Sequence, residues 1–466
     1  LCMVPSPPSL EGSTAIVVGG GVAGLAAAIV LGRRGATVTV LERDAPADAD
    51  CEAYFLAAKR AGAPQVRHSH VFLGRLRSLL RADYPVLLRE LMAAGARELN
   101  GIARPPQPLR GLAHEPGDDD LIALGCRRTT FEWVLRHHVA RLPNVRWQAG
   151  GRVVGLLGVG GPTPTVAGVR YACNGGEQPL YAHLVVDASG RRSEAPRWLA
   201  ELGGRPVRER LEPSGIVYYT RFYRLLDGAE EPVPGADPFA ADLDWLKYAV
   251  FIADERTFSI TLAVPLAEPR LKVLADARAF DTLARMIPGL AQWLHPDVSA
   301  PIDGLAHEVQ AMGGLINRLR RFVDGAGPVA LRFAALGDAA YCTNPLYGRG
   351  CTQAFLHAHF LGEALDEAHG DWPAIARALD RRAHAVLEPF YRASVIADRD
   401  AVRRAEGQVP KQWQNRLRAR FFRDGMTLAL RHDPVVYRAF LRMMNMIETP
   451  GEAFARPEVA LRCLWF

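Results

Sequence analysis

The sequence has no paired cysteine motif, no unbroken apolar run long enough for a membrane span and no block of basic residues. Its seven cysteines are scattered, and no two form a C-x-x-C pair. Neither a disulfide framework nor a zinc site is therefore indicated, and a reducing cytoplasm is the expected compartment. Leu1 to Leu10 has no positive segment followed by an apolar one, so no signal peptide is expected. Glycines interrupt the apolar segment from Ala15 to Leu31, which argues against a transmembrane helix.

Length and charge narrow the class of protein further. The 466 residues suit two domains, or one large α/β domain with an inserted layer. The formal charge of +6 comes mainly from arginines spread along the chain. Because no basic block with interleaved aromatics is present, nucleic-acid binding is disfavoured. A diffuse positive surface would instead attract an anionic substrate, a pyridine nucleotide or an acidic carrier protein.

The N-terminal segment carries a dinucleotide-binding pattern in its full strand-turn-helix-strand context. An apolar strand precedes a G-x-G-x-x-G turn, an Ala- and Leu-rich helix follows, and a second strand ends in an acid. The glycines would make a tight turn, admit a pyrophosphate and allow close helix packing, while the acid would accept from ribose hydroxyls. An acid also opposes a 2′-phosphate, so FAD or NAD is predicted rather than NADP. The residues are Gly19, Gly21, Gly24, Glu42 and Arg43.

A second glycine-rich turn lies in the C-terminal half, between Ala335 and Ala354. The pattern indicates a strand, a Gly-Asp turn, a loop held by Asn-Pro and a helix entered through glycines. A helix N-terminus favours an anionic group, and reduced flavin is such a group. The alternative is an ordinary strand-turn-helix with glycines at its caps. The residues are Gly337, Asp338, Asn344, Pro345, Tyr347, Gly348, Arg349 and Gly350.

The segment from Ala63 to His70 is irregular and contains two histidines at alternating positions, His68 and His70. No carboxylate or third histidine stands at a suitable spacing, so no metal site is predicted. Gln65 and Arg67 are expected to line a flavin pocket, with a solvated loop as the alternative.

Arg128 opens a predicted helix, where its charge opposes the helix dipole and calls for an anionic partner. That partner is either a cofactor phosphate or Glu132, one turn further on. A buried strand later ends in the turn from Asp187 to Arg191, and Cys342 and Cys351 flank the C-terminal loop. Both thiols are expected to be buried and inert.

Strands rich in Tyr, Phe and Val, from Ile216 to Leu225 and from Tyr248 to Val264, predict an antiparallel sheet that forms a substrate layer. Tyr219 and Arg221 are its candidate substrate contacts, although aromatic residues on strands more often belong to the core. The segments from Trp372 to Arg404 and from Lys411 to Met444 indicate amphipathic helices.

Taken together, the two glycine-rich patterns and the turn from Asp187 to Arg191 resemble the single-component (group A) FAD-dependent monooxygenases of the p-hydroxybenzoate hydroxylase fold. The segment from Ala63 to His70, with Arg128, resembles the subgroup of natural-product epoxidases and hydroxylases. Here the middle motif has Asp-Ala-Ser-Gly in place of Asp-Gly, which leaves the role of Asp187 in NAD(P)H handling open. The halogenase signature Trp-x-Trp-x-Ile-Pro is absent, which disfavours halogenation.

The resemblance implies an α/β fold with a Rossmann-like FAD-binding domain of glutathione-reductase type, an inserted antiparallel substrate domain and a helical C-terminal region. The expected FAD-binding domain comprises residues 13–80, 121–200 and 325–370. The substrate layer comprises residues 81–120 and 201–324, and the helical region comprises residues 371–466.

The same resemblance implies site residues and a reaction. One oxygen atom of O2 would be inserted into a bulky substrate, free or borne by a carrier or peptide, through a flavin C4a-(hydro)peroxide. NAD(P)H would supply electrons, directly or through a partner flavin reductase. The alternatives are a desaturase or reductase of the same fold, a flavin-dependent halogenase, which the missing signature disfavours, and a non-catalytic FAD-binding protein. Candidate catalytic residues are Pro345, Gly348, Gly350, His68 and Tyr347. Candidate FAD contacts are Gly19, Gly21, Gly24, Glu42, Arg43, Arg67, Arg128, Asp187, Gly337, Asp338, Gly348, Arg349 and Gly350.

Overall fold

The structure is a computed structural model of the 466-residue chain. It describes residues 10–44, 50–57, 60, 63–173, 175–233, 238–305, 307–408, 421 and 425–466. The expectation for Leu1 to Leu10 falls almost entirely outside these residues, and so does part of the predicted helix from Lys411 to Met444. No helix in the described ranges is long and apolar enough to cross a membrane.

Strands supply the frame of the molecule. In chain order they are β1 (Thr14–Val18), β2 (Thr37–Glu42), β3 (Arg97–Leu99), β4 (Ala123–Gly125), β5 (Val145–Ala149), β6 (Arg152–Val159), β7 (Thr165–Cys173), β8 (Gly176–Tyr181), β9 (Leu184–Asp187), β10 (Arg208–Pro213), β11 (Ile216–Leu225), β12 (Ala240–Asp242), β13 (Lys247–Ile252), β14 (Thr257–Pro265), β15 (Ser299–Pro301), β16 (Val309–Met312), β17 (Ile316–Arg321), β18 (Val323–Asp324), β19 (Gly327–Pro328), β20 (Phe333–Ala335) and β21 (Tyr341–Cys342).

Helices cover the sheets and build the C-terminal region. The α-helices are α1 (Val22–Gly32), α2 (Cys51–Ala57), α3 (Gly74–Asp83), α4 (Pro85–Ala93), α5 (Arg128–Ala140), α6 (Ala195–Glu201), α7 (Ala277–Met286), α8 (Pro288–Ala291), α9 (Arg349–Ala368), α10 (Trp372–Ala405), α11 (Met426–His432), α12 (Pro434–Met444), α13 (Pro450–Ala455) and α14 (Pro457–Trp465).

The first core is a five-stranded parallel sheet in the order β20-β9-β1-β2-β5. All four residues of β9 are buried, and α1 is buried along its whole length against the sheet and α9. Strands covered on both faces read as continuous apolar runs, which explains why β1 and β9 were recognisable in the sequence. Because the strands are parallel, the turns that follow β1, β9 and β20 meet at one edge.

The second core lies under an antiparallel sheet in the order β12-β13-β14-β11-β15, with β16 also paired to β11. Side chains alternate between its faces. One face packs on α7 through Tyr219 and Tyr223 of β11 and Leu262 of β14. The opposite face carries Tyr218 and Thr220, which point toward the first core. Smaller antiparallel sheets are formed by β6-β7-β8 and β10-β17-β21.

The C-terminal region is helical where the structure describes it. Its longest element, α10, has 34 residues and packs against α9. Helices α11, α12 and α14 share a small core of their own that includes Val436 and Val459. The predicted fold class is thus confirmed: an α/β protein with a parallel cofactor-binding sheet, an antiparallel sheet inserted between its strands and a helical C-terminal region.

Candidate cofactor and active site

A cavity of about 340 Å³ opens at the carboxyl edge of the parallel sheet. The turns after β1, β9 and β20 all contribute to its wall, as expected for a ligand site in an α/β sheet. It brings together most of the predicted site residues. Those that line it are Gly19, Gly21, Glu42, Arg43, His68, Arg128, Asp338, Pro345, Gly348 and Gly350.

The glycines of this region have two different tasks. A Cβ on Gly24 would lie 1.8 Å from the carbonyl oxygen of Gly19, so Gly24 holds the turn closed without lining the cavity. A Cβ on Gly21 or Gly350 would meet no atom within 4 Å, because the backbone of each faces the open cavity. A side chain at either position would fill space that a cofactor needs, so these two glycines form a cradle.

Glu42 is held at the end of β2 by several partners. Its carboxylate accepts from the backbone N–H of Gly20 at 2.8 Å and from that of Asp44 at 3.0 Å. The guanidinium of Arg60 pairs with it at 2.9 Å and with Glu132 at the same distance. Arg60 is buried, and it was not predicted as a site residue because its segment shows no periodicity.

The anionic partner of Arg128 is Glu132, the second of the two candidates that the sequence left open. Arg128 Nε donates to Glu132 at 2.8 Å, and Arg128 Nη1 donates to the sulfur of Cys351 at 2.9 Å. Burial alone would raise the pKa of Glu132, but Arg128 and Arg60 outweigh burial and lower that pKa to about 2. Burial raises the pKa of Cys351 to about 11, so this thiol in the cavity wall stays protonated.

The two histidines of the irregular segment are uncharged. Burial lowers the pKa of His68 to about 4 and that of His70 to about 3, with Arg191 and Arg128 as further causes. His70 donates from Nδ1 to the carbonyl oxygen of His68 at 2.8 Å, so its Nε2 carries the lone pair. No group of three or more metal-ligating side chains occurs among the residues that the structure describes.

His68 starts a chain of hydroxyl groups that runs onto the antiparallel sheet. Its Nδ1 shares a hydrogen bond of 3.0 Å with Thr220 Oγ1, which lies 2.8 Å from Thr261 Oγ1. Ser69 Oγ is 2.7 Å from both Thr261 Oγ1 and Ser259 Oγ. Since His68 and Ser69 also line the cavity, the cavity is in contact with the sheet face that carries these hydroxyls.

The N-terminus of α9 points into the same space. Gly348, with φ of +64°, turns the chain into the helix, and Gly350 and Cys351 of its first turn line the cavity. First-turn amides have no intrahelical acceptors, so they present partial positive charge. Asp338 and Arg191 lie nearby; burial raises the pKa of Asp338 although Arg191 opposes that shift. Arg191 Nε is buried and has no hydrogen-bond partner in the described part of the chain.

Two predicted FAD contacts lie behind the cavity wall. Asp187 accepts from the backbone N–H of Ser189 at 3.0 Å and from the hydroxyl of Ser193, so it braces the turn after β9. A Cβ on Gly337 would lie 2.8 Å from that of Ala23, so Gly337 allows close packing rather than ligand contact. The neighbours of Asp187, Ser189 to Arg191, line the cavity in its place.

Three further predicted site residues are directed into the protein. Arg67 donates to the carbonyl oxygen of Leu56 at 2.7 Å, and Arg349 donates to Ser394 of α10 at 2.9 Å. Tyr347 packs its ring against the Arg349 guanidinium at 4.8 Å and does not line the cavity. None of these three residues lines the cavity.

The predicted substrate contacts Tyr219 and Arg221 lie on the other face of the antiparallel sheet. Tyr219 belongs to the core beneath α7, and Arg221 forms an ion pair of 2.8 Å with Asp281 of that helix. On β11 the even-numbered residues face the cofactor-binding side, and these two are odd-numbered. Thr220, between them, is the residue that bonds to His68 of the cavity wall.

Sequence reasoning missed other lining residues, which include Arg60, Ser69, Ser189, Gly190 and Arg191. One signal was present for the last three: they follow a buried parallel strand, β9, that is adjacent to β1. The turn after such a strand must lie at the same edge as the glycine-rich turn. No comparable signal existed for Arg60 and Ser69, whose positions depend on long-range packing.

The residues present fit FAD. Beside the open glycine cradle, six arginines face only three acidic residues in the cavity wall, an excess of positive charge that suits a pyrophosphate. The arginines are Arg43, Arg60, Arg128, Arg152, Arg191 and Arg192, and the acids are Glu42, Glu194 and Asp338.

Known proteins resemble the chain in sequence and in fold. A family model described as DAO, FAD dependent oxidoreductase, matches residues 14–111. The chain is 29% identical over 458 residues to Protein Rv3254 of Mycobacterium tuberculosis, which covers 93% of this chain and 90% of that protein.

Solved structures share the fold over most of the chain. The flavin-dependent brominase Bmp2 has a TM-score of 0.63 at 16% identity and covers 97% of this chain and 98% of its own. PqsL, a probable FAD-dependent monooxygenase from Pseudomonas aeruginosa, has a TM-score of 0.57 at 18% identity, covering 85% of this chain and 98% of its own.

The family match, the shared fold and the cavity together define the class of protein. Residues 14–111 match an FAD-dependent oxidoreductase domain, which makes the protein an oxidoreductase with FAD as its cofactor. The fold resembling p-hydroxybenzoate hydroxylase, predicted from three motifs, is confirmed at this level.

Proposed function

We propose that the protein is an FAD-dependent monooxygenase that inserts one oxygen atom from O2 into a bulky organic substrate, by hydroxylation or epoxidation. The observation that carries this proposal is one continuous cavity wall. It includes Pro345 and Gly348, the first and last residues of the flavin loop, which is defined as Pro345 to Gly348. It also includes His68 and Ser69, which are hydrogen-bonded to hydroxyl groups of the antiparallel sheet. A substrate held at these two residues would lie beside the flavin.

FAD, when bound, supplies the activation and transfer of oxygen. The chain itself supplies the environment for that chemistry. The first-turn amides of α9, around Gly350, favour a negatively charged ring next to them. His68 and His70 are buried and uncharged, so they add no further positive charge to this part of the cavity wall.

His68 is the side chain best placed to move a proton. Its Nδ1 is engaged by Thr220, while no described residue bonds to Nε2 and the residue lines the cavity. Since its pKa is lowered to about 4, His68 is uncharged at neutral pH and is a weak base, so it would pass a substrate proton on rather than hold it. The Thr220–Thr261 pair is positioned to relay that proton.

Electrons would come from NAD(P)H, directly or through a partner flavin reductase. The FAD-binding domain would comprise residues 13–80, 121–200 and 325–370. The sequence has no second G-x-G-x-x-G in strand-helix context, so a reducing nucleotide would bind transiently beside the flavin. The resemblance to natural-product epoxidases and hydroxylases favours a polycyclic or otherwise bulky substrate.

The proposal is tested by accounting for oxygen. Purified FAD-loaded protein is reduced with NADPH or NADH without oxygen and then mixed with oxygenated buffer, with and without members of a library of polycyclic alkenes and phenols. We expect at least one compound to lower hydrogen peroxide release while oxygen uptake continues, because the oxygen then enters product. Peroxide release equal to oxygen uptake with every compound, accompanied by loss or gain of two hydrogens in one of them, would support the desaturase or reductase alternative. Failure of both nucleotides to reduce the flavin would assign that step to a partner reductase.

A further inference from the structure

One face of α10 contacts the two residues that flank the flavin loop, Asn344 before it and Arg349 after it. Phe390, Ser394 and Asp398 follow one another at intervals of four residues, so they lie along the same side of the helix. All three are buried, with at most 1% of each residue exposed. None of them lines the FAD cavity, so their effect on the cofactor must pass through the loop.

Asp398 holds the start of the loop through Asn344. Its carboxylate accepts from the Asn344 side-chain amide at 2.7 Å and from that of Asn317 at 2.7 Å. The amide oxygen of Asn344 in turn accepts from the backbone N–H of Leu346 at 3.1 Å and from the hydroxyl of Tyr218. Every polar atom of the Asn344 side chain is therefore engaged, and its orientation depends on Asp398.

Arg349 holds the end of the loop against the same helix face. Its Nη1 donates to the carbonyl oxygen of Phe390 at 3.1 Å and to Ser394 Oγ at 2.9 Å. Its guanidinium lies 4.8 Å from the ring centre of Tyr347 and 5.2 Å from that of Phe390. The four-residue flavin loop is thus held at its start through Asp398 and at its end through Ser394, which lie one helical turn apart on α10.

The two charged members of this arrangement are buried, and neither forms an ion pair within the described ranges. Burial raises the pKa of Asp398 to about 6 and lowers that of Arg349 to about 10. The other ionisable groups that face Asp398 are Lys247 from β13, Tyr218 from β11 and Tyr347 from the loop.

We propose that this face of α10 positions the flavin loop, with Asp398 as the positioning residue at its start and Ser394, through Arg349, at its end. The C-terminal region thereby sets the affinity for FAD without touching it. The proposal rests on the FAD site of the proposed function and does not depend on oxygen insertion. Asp398 is not a catalytic residue in this account.

A pH dependence follows from the hydrogen bonds of Asp398. The carboxylate accepts from both asparagine amides, whereas a protonated carboxyl carries a hydrogen on one oxygen that would face an amide donor. The loop is therefore best held when Asp398 is ionised. Affinity for FAD should rise as the pH rises through about 6, the pKa to which burial brings this group.

The test measures FAD binding to apoprotein by quenching of flavin fluorescence, from about pH 5 to about pH 8, with no reductant or substrate present. We expect Asp398→Asn to weaken binding roughly tenfold at the upper end of this range and to abolish the rise near pH 6, because one amide donor then faces another. Ser394→Ala should weaken binding less and keep the wild-type pH profile. Asp400→Asn, whose side chain is 50% exposed on the same helix, is the control and should match wild type.

Wild-type affinity and pH profile in Asp398→Asn would overturn the proposal, as would a wild-type profile that is flat across pH 6. An affinity lowered equally at every pH, together with a lower melting temperature of the apoprotein, would reduce Asp398 to a packing role and also contradict it. If Asp398→Asn does not fold, the FAD affinity of Ser394→Ala and the pH profile of FAD binding by the wild type decide whether the proposal stands. Because no turnover is measured, none of these results bears on the monooxygenase proposal.

Discussion

The two walls of the central cavity are built in different ways. The FAD side is made from backbone and fixed charges. It consists of glycines that face open space, the amides of helix N-termini, and the buried ionic cluster of Arg60, Glu42, Arg128 and Glu132, of which only Glu132 does not line the cavity. The substrate side is formed by His68 and Ser69, which line the cavity and are hydrogen-bonded to buried hydroxyls on alternate positions of β11 and β14, those of Thr220 and Thr261.

This difference explains what each wall can do. A wall of backbone amides and fixed charges suits one invariant ligand, because its geometry follows from the turns themselves. Side chains that are oriented by hydroxyl groups on a sheet face can be reoriented by single substitutions that leave the sheet intact. The first wall is a cofactor site, and the second is the proposed place of substrate choice.

The largest effect should come from closing the glycine cradle. A side chain at Gly21 meets no protein atom within 4 Å, so Gly21→Val should fold normally and yet lose FAD, because valine occupies the cofactor's space. We expect affinity to fall by at least about a hundredfold, measured by the flavin content of purified protein. Gly176→Val, which is equally unhindered but lies on β8, is the matched control. Stoichiometric flavin in Gly21→Val would contradict the placement of the site.

The second-largest effect is expected from the ionic cluster of the FAD wall. Arg60→Met removes the guanidinium that pairs with Glu42 among the described residues, and it also removes one of the partners of Glu132. We therefore expect the free energy of unfolding of the apoprotein to fall by about 3 kcal/mol. Urea titration measures this change. Arg43→Met, with half of its side chain exposed at the same cavity, should cost less than about 0.5 kcal/mol. Equal losses of unfolding free energy in the two variants would show that burial of the ionic cluster does not contribute to stability.

A smaller effect is expected from the hydroxyl groups that lie behind the substrate side of the cavity. Thr220→Val preserves volume but removes the hydroxyl that joins His68 to Thr261, so the free energy of unfolding should drop by about 1–2 kcal/mol. FAD affinity should not change, because Thr220 does not line the cavity. If Thr220→Val lost as much flavin as Gly21→Val, the FAD side and the substrate side of the cavity could no longer be treated as separate.

The smallest effect is expected on the far face of the same strand. Tyr219→Phe removes a hydroxyl in the core beneath α7, away from the cavity. Stability should stay within about 0.5 kcal/mol of wild type, and neither flavin content nor the oxygen accounting should change. Altered coupling of oxygen uptake to product in this variant would return Tyr219 to the substrate site.

The same contrast separates what the sequence predicted from what it did not. The turns at Gly19 to Gly24 and at Gly337 to Gly350 were recognisable because a backbone turn requires particular residues at fixed spacing. Tyr219 and Arg221 lie on the face of the sheet away from the cavity, and their role as substrate contacts stays a prediction. The sequence could not show which way they face, because facing depends on strand register and a shift of one residue reverses it. Arg60 and Asp398 gave no local signal at all, since each acts through partners distant in the chain.

The central claim, oxygen insertion, is tested most directly by isotope labelling. The FAD-loaded protein is supplied with NADPH or NADH, or with a flavin reductase, and with a compound that suppresses peroxide release, under ¹⁸O₂. The account predicts a product that carries one ¹⁸O atom, with the second atom recovered in water. A product without ¹⁸O that differs from the substrate only in hydrogen content, with the label in hydrogen peroxide, would contradict it.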